Sequence, residues 1–366
     1  MPNDAPTSSE IEVSLFGPGY GESVLVHTGS NNWFIVDSCI EALSKKPAAL
    51  EYLRRIGVDP TTAVKLVVAS HWHDDHIRGL GTVFEACNSA EIVCSESLQK
   101  KEFLTLVTAY DNGAMIDTTG VSEFSQIIRE LSSRSDTGGS TVSPRWALAD
   151  RLLWRQGECE VYSLSPSDTS ILNAHRDIAE LISKAPKHRL TSKSPNHMAV
   201  VLWFRIGGDY SLLLGSDLEE TNDATTGWSA ILASTTRPRG TACIFKIAHH
   251  GSLTGHNDGI WTDLLEEKPL AILTPFVKGR HSIPTPLDVY RILKLAGDAY
   301  QTALPKQKKP PRRPAAVEKT IRETVESIRQ VQYSSGQVRL RAELGAGSWS
   351  VELFGSAFQL KGQERQ

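Results

Sequence analysis

The sequence predicts an α/β protein, and three observations carry that expectation. Apolar runs of strand length recur along the chain with helical patterns between them. Several of these runs end directly on histidine or aspartate. The composition is that of an ordinary soluble domain, since 40% of the 366 residues are hydrophobic and 22% are charged, which allows a sizeable core and excludes a fibrous repeat or a disordered chain. The length corresponds to one large or two small domains. A net charge of −3 argues against a nucleic-acid partner held by global charge alone, although a local basic strip can still bind phosphates.

Cys39, Cys87, Cys94, Cys159 and Cys243 are odd in number and widely spaced, without a CxxC pair. Neither a disulfide framework nor a cysteine zinc cage is expected. The stretch MPNDAPTSSEIEVSLF has no basic segment followed by an apolar one, and no run approaches the roughly 18 apolar residues that span a bilayer. The expectation is a soluble, cytoplasmic protein with no membrane partner.

Each element follows from its local pattern. Ile11 to Phe16 alternates as a strand, the turn GPGYGES follows, and Val24 to Val26 and Trp33 to Val36 form two further strands, the last ending at Asp37. Residues 47–56 read as a helix, 64–69 as a strand, 79–87 as a helix and 91–94 as a short strand. Helical patterns around 98–110, 121–133 and 144–154, separated by the polar SSRSDTGGSTVS, predict a helical insertion over 98–155. Strands return at 159–164 and, after a helix at 171–184, at 198–204. The turn Gly207-Gly208-Asp209 makes a hairpin with 210–214. A helix comes next, then strands at 242–247 and 270–274. The four prolines and five basic residues of LPKQKKPPRRP at 304–314 predict an exposed linker. A helix at 316–331 and a closing hairpin at 337–342 and 349–354 complete the chain.

The densest chemistry is SHWHDDHIRG at 70–79, directly after the apolar strand 64–69. His71 and His73 on a tight turn can point to one side while Asp75 and His76 supply a second set of donors beside them. That is the layout of a two-metal site. Imidazole and carboxylate suit zinc, manganese or iron(II), and the lack of nearby thiolate argues against a structural zinc cage. Gly17, Gly19 and Gly21 do not make a nucleotide cradle, because no lysine-serine pair follows and the run lies between strands.

His71-Trp72-His73-Asp74-Asp75-His76 meets the HxHxDH signature of the metallo-β-lactamase superfamily in full, and the chain resembles that family further along. Asp37 matches the acid that orients a ligand histidine from behind. Asp217 in GSD matches the aspartate that bridges the metals, and HHGS at 249–252 matches the late histidine motif. Within the family the chain is most similar to the metallohydrolase domain of the competence DNA-uptake channel proteins and its free-standing relatives. GPGYGES resembles their VGQGDS turn, LSPS at 164–167 their LSPP, and FKIAHHGS their LKVxHHGS. The likeness spans residues 11–355 and leaves 98–155 unmatched. It departs where an asparagine-rich segment is replaced by Ser194-Pro195-Asn196-His197-Met198, and where YGHPHP is replaced by RHSIPTP around His281.

The resemblance implies a four-layer αββα sandwich over residues 11–355, carrying the helical insertion, and two divalent ions, zinc or manganese. One ion is expected on His71, His73 and His197, the other on Asp75, His76 and His250, with Asp217 between them. His250 is preferred to His249 as ligand from its HxS-like spacing, and His249 then serves the ligands' support or the substrate. Catalytic roles fall to Asp75, Asp37 and His249. The implied activity is metal-dependent hydrolysis of a phosphodiester in DNA or a nucleotide, with Lys246, Lys278 and Arg280 near strand ends to hold phosphate. Hydrolysis of a lactone, thioester or lactam is the enzymatic alternative, and a metal-stabilised interaction module the non-enzymatic one.

Overall fold

The computed structural model describes residues 3–99, 119–138, 143–184, 195–221, 223–278, 281–304, 313–324 and 335–361. In chain order the strands are β1 (Glu10–Gly17), β2 (Ser23–His27), β3 (Trp33–Val36), β4 (Val64–Ala69), β5 (Glu91–Ser95), β6 (Arg145–Ala147), β7 (Arg151–Gln156), β8 (Cys159–Ser163) and β9 (Leu202–Ile206). They continue with β10 (Tyr210–Leu214), β11 (Ala242–Lys246), β12 (Leu265–Leu273), β13 (Phe276–Lys278), β14 (His281–Ile283), β15 (Asp298–Gln301), β16 (Gly336–Glu343), β17 (Ser350–Gly355) and β18 (Phe358–Gln359).

Side chains alternate across a strand, so a strand covered on both faces must be apolar at odd and even positions alike. In β1, Ile11, Val13 and Leu15 face one core while Phe16 faces another; in β3 and β4, Phe34, Val36, Leu66 and Val68 share the first core, and Trp33, Ile35, Val67 and Ala69 the second. Eight strands make a sheet in the order β17-β16-β1-β2-β3-β4-β5-β6, and eight more a sheet in the order β18-β15-β12-β11-β10-β9-β8-β7. Both are mixed: β3 to β6 run parallel, as do β10, β11, β12 and β15, and the other neighbours are antiparallel.

The inner faces of the two sheets bury one shared core, in which Phe34 meets Trp154 and Phe204 edge-on. Helices Ala48–Arg55, Leu80–Ala86 and Thr119–Gly138 cover the outer face of the first sheet, and Gly227–Ala233 and Pro286–Leu295 that of the second. This is the expected α/β sandwich of four layers. The chain crosses between these sheets three times, from β6 to β7, from β15 to β16 and from β17 to β18; the first and last are short and lie at opposite edges.

The expected helix at 144–154 is instead β6 and β7, which open onto different sheets. The strand expected at 198–204 begins later, at Leu202, after a short helical turn Pro195–Met198. Helix Thr119–Gly138 is seated by Glu123, whose carboxylate accepts from the Gly79 and Gly81 amides at 2.7 and 2.9 Å. Most of the expected helix at 98–110, the core of the 304–314 linker and the end of the helix at 316–331 lie outside the described residues. Among the described residues no helix is long and apolar enough to cross a membrane.

Candidate metal centre

The centre forms where strand ends of both sheets meet. β4 is held between β3 and β5, and its apolar side chains anchor it, so the polar residues after Ala69 emerge from a rigid support. A short turn over Asp74–Ile77 follows, closed by the His76 and Ile77 amides on the His73 carbonyl. It gathers the imidazoles: His71 lies 4.2 Å from His76 and 4.9 Å from His73 between ring centroids, and His71 Nε2 lies 3.2 Å from His73 Nδ1.

Asp37, just past β3 and in a left-handed backbone conformation (φ 59°), fixes this loop from behind. Its Oδ1 accepts from the Ser70 amide at 2.8 Å and its Oδ2 from the Ser70 hydroxyl at 2.7 Å. His76 Nδ1 lies 2.7 Å from the same Oδ2, which turns His76 Nε2 toward the centre. Orientation of a ligand imidazole through its other nitrogen is a common requirement of metal sites.

The second sheet brings Asp217 from the loop after β10 and His250 from the segment Ala248–Gly251 after β11. Asp217 Oδ1 is 3.2 Å from His76 Nε2, and its Oδ2 is 3.4 Å from His250 Nε2. Asp75 Oδ2 lies 3.2 Å from His250 Nε2. His249 and His250 both adopt left-handed conformations, φ 46° and 53°, and such strain in non-glycine residues collects at functional sites. The turn presents His250 inward, its Nδ1 held 3.2 Å from the Thr274 carbonyl and 3.1 Å from the Thr274 hydroxyl.

Two groups of donor atoms lie within 4.8 Å of one another among the described residues: His71, His73 and Asp217, and Glu22, His76, Asp217 and His250. Asp217 belongs to both. In the second group Glu22 faces the Nδ1 edges of His76 and His250, at 3.6 and 3.7 Å, whereas Asp75 and Asp217 face their Nε2 edges. One ion cannot use both edges, so Asp75 rather than Glu22 completes the inward set. His76 Nε2 and Asp217 Oδ1 are buried without a hydrogen-bond partner, although buried polar atoms are normally satisfied. This donor set of imidazole and carboxylate fits a divalent cation.

The electrostatics agree. Burial, reinforced by His76 and His73, pushes His71 well below the usual histidine range, and burial pushes His73 down as well, so both imidazoles are neutral and ready to ligate. Burial also acts against charge on His76 and His250, but it is overcome by Asp217 first, then by Glu22 and Asp37 at His76 and by Asp75 and Glu22 at His250. His76 is held well above its ordinary value and His250 rises to about 10. Burial raises Asp75 and Asp217, yet their contacts with His250 and His76 win and hold both carboxyls below the usual range.

The remaining expected residues are placed differently. His197 joins neither donor group; its Nε2 lies 3.4 Å from Glu219 Oε2, because that carboxylate engages the imidazole at the rim. His249 sits with it, its Nδ1 3.0 Å from Glu219 Oε1 and 2.7 Å from the Thr254 hydroxyl. Lys246, expected to reach phosphate, is 1% exposed, ion-paired with Glu22 and donating to the Ser216 carbonyl at 3.0 Å. An ammonium this deep needs a carboxylate partner, and it has one. Lys278 is exposed and donates to Tyr20 Oη at 3.1 Å. Arg280 lies outside the described residues. His281 is exposed on β14. Glu22, Glu219 and Thr274 were not anticipated; for the two acids, their places in GPGYGES and GSDLE were the available signals.

Residues 16–137 match the family model described as the metallo-beta-lactamase superfamily. No curated protein sequence matches the chain. Among solved structures, the chain is similar to a B3 metallo-beta-lactamase described as the first with an active-site glutamic acid, at 14% identity and TM-score 0.33, over 63% of this chain and 70% of that one. It is similar to the metallo-beta-lactamase SMB-1 bound to 2-mercaptoethanesulfonate, at 12% identity and TM-score 0.35, over 68% and 81%. It is also similar to a subclass B3 metallo-beta-lactamase isolated from a soil metagenome library, at 13% identity and TM-score 0.34, over 69% and 83%. The family-model match, on a sandwich with a candidate metal site at its strand ends, supports the metallo-beta-lactamase superfamily and a metal-dependent hydrolase fold.

Proposed function

We propose that the protein is a metal-dependent phosphodiesterase or nuclease, holding two divalent ions, zinc or manganese, and acting on DNA or a nucleotide. The observation that carries the metal reading is Asp217, whose two oxygens face the Nε2 atoms of His76 and His250 while the same carboxylate belongs to the donor group of His71 and His73. A pair of divalent cations supplies an acidified water and stabilises charge on the attacking and leaving oxygens. His71 and His73 would hold one ion, Asp75, His76 and His250 the other, and Asp217 both.

The chain's other residues orient and bind. Asp37 fixes the His76 ring, and Glu219 holds His249 and His197 at the rim. Lys278, with one of its three N–H groups on Tyr20, offers the remaining two to an anionic group, and this exposed ammonium favours a phosphodiester. The sequence likeness to free-standing relatives of the competence metallohydrolase domain points to the same substrates and to work in the cytoplasm.

The test is metal analysis of the purified protein followed by a substrate panel of single- and double-stranded DNA, RNA, a bis-aryl phosphodiester, a lactone and a thioester. Phosphodiester cleavage in zinc or manganese is expected; turnover of the lactone or thioester alone would reassign the chemistry. His73→Ala should abolish activity with the fold largely retained, as read by circular dichroism. Lys278→Ala should raise KM for the phosphodiester several-fold with little change in kcat.

A further inference from the structure

The glycine-rich turn GPGYGES between β1 and β2 is not explained by the ligands alone. Its glycines permit close approach. A Cβ on Gly17 would meet Thr274 Cγ2 at 2.5 Å, and one on Gly21, at φ 107°, would meet Cys39 Cβ at 3.0 Å. What this approach delivers is Glu22. The Glu22 amide donates to the Asp75 carbonyl at 2.8 Å, and the side chain, 1% exposed, enters beneath the two inward histidines.

Its partners impose a direction on the hydrogen bonds. Thr274 Oγ1 donates its only proton to Glu22 Oε2 at 2.6 Å, because a carboxylate only accepts. The same Oγ1, 3.1 Å from His250 Nδ1, then has only lone pairs to offer that nitrogen. The Thr274 carbonyl, 3.2 Å away, also only accepts. His250 Nδ1 therefore donates and carries a proton, which leaves Nε2, directed at Asp75 and Asp217, as the nitrogen that would ligate an ion. Glu22 Oε1 meanwhile lies 3.6 Å from His76 Nδ1, which Asp37 already binds. One buried carboxylate thus backs both histidines, and Lys246, itself 1% exposed, provides its counter-charge.

We infer that Glu22 is a positioning residue for the metal centre: acting through Thr274 it sets the tautomer and orientation of His250, with Lys246 as its dedicated partner. The inference rests on the metal reading above. It assigns Lys246 a role in the protein's interior in place of the expected phosphate contact. It also gives GPGYGES a reason: the turn brings Glu22 to the strand ends of the second sheet.

The test compares Glu22→Gln, Thr274→Val, Lys246→Met and the double variant Glu22→Gln/Lys246→Met with wild type. Zinc affinity is read by competition with a chromophoric chelator, ligand geometry by the visible spectrum of the cobalt form, and folding by thermal melting. Glu22→Gln and Thr274→Val should bind zinc 10- to 100-fold more weakly, the range found when partners behind a ligand are removed, and should shift the cobalt spectrum. Lys246→Met should lower the melting temperature by stranding a buried charge. The double variant should recover much of that loss without recovering zinc affinity. Should Glu22→Gln fail to fold, Thr274→Val and the double variant still decide the matter. Wild-type uptake of metal with unchanged affinity in the folded variants overturns the inference alone, whereas a wild-type protein that takes up no zinc, cobalt or manganese overturns the metal centre itself.

Discussion

Burying a titratable side chain makes stability depend on pH, and His27 shows this away from the metal centre. It is 2% exposed on β2, stacked on Trp33 with ring centroids 4.6 Å apart, and its Nδ1 has no hydrogen-bond partner. Burial lowers it to about 4. The unfolded chain takes up this proton below about pH 6.5 and the folded chain only below about 4, so more protons bind the unfolded state in between, and stability falls as pH drops across that window. The full effect is roughly 3 kcal/mol. In His27→Leu, urea midpoints at pH 7 and pH 4.5 should lie closer together than in wild type; an unchanged gap would show that other groups carry the acid sensitivity. At the same scale, the cluster at 71–76 was readable because ligand identity and spacing are local. Glu22 was not, since its importance comes from Thr274 and Lys246, residues that only the fold places beside it.

The left-handed pair at His249 and His250 belongs to the scale of elements. Each non-glycine residue in that conformation costs on the order of 1 kcal/mol, and β11 ends there so that one imidazole turns inward and the other to Glu219. His249→Gly should accordingly raise stability by about 1 kcal/mol in chemical denaturation while losing the Glu219 contact and reducing activity. A destabilised variant would mean that this contact outweighs the strain. Element legibility followed periodicity. β1 is clear from its alternation, and β3 and β4 from short continuous apolar runs, the pattern of strands covered on both faces. The run 144–154 reads as helix because its apolar residues fall in two clusters, 146–149 and 152–154, about one and a half helical turns apart. In fact the register shifts between Leu152 and Trp154, so Leu152 stays 38% exposed beside a fully buried Leu153. An irregular edge strand loses the period of two by which strands are recognised.

For the whole molecule, the donors come from both sheets: His71, His73, Asp75 and His76 follow β4, while Asp217 and His250 follow β10 and β11. A bound ion therefore ties the two sheets and stabilises only the folded state. At a free concentration a hundredfold above Kd the gain is about 2.7 kcal/mol. Calorimetry with zinc or manganese and then with a chelator should show a lower melting temperature after chelation; coincident transitions would mean that the folded chain binds no metal. The αββα layering was legible through the family signature. The strand order was not, because pairing of β16 with β1 joins the two ends of the chain, and nothing local in either strand names its neighbour.

The two short crossings at the sheet edges bear on how the centre can move. β6 passes to β7 along one border of the sandwich and β17 to β18 along the other, so the two sheets are laced at both borders by a few residues of backbone. Such a body has no spine about which it could open like a book. The gap separating the His71 loop from the Asp217 loop is thereby set by covalent chain as well as by packing, and any gate for a substrate must be built from the loops above it.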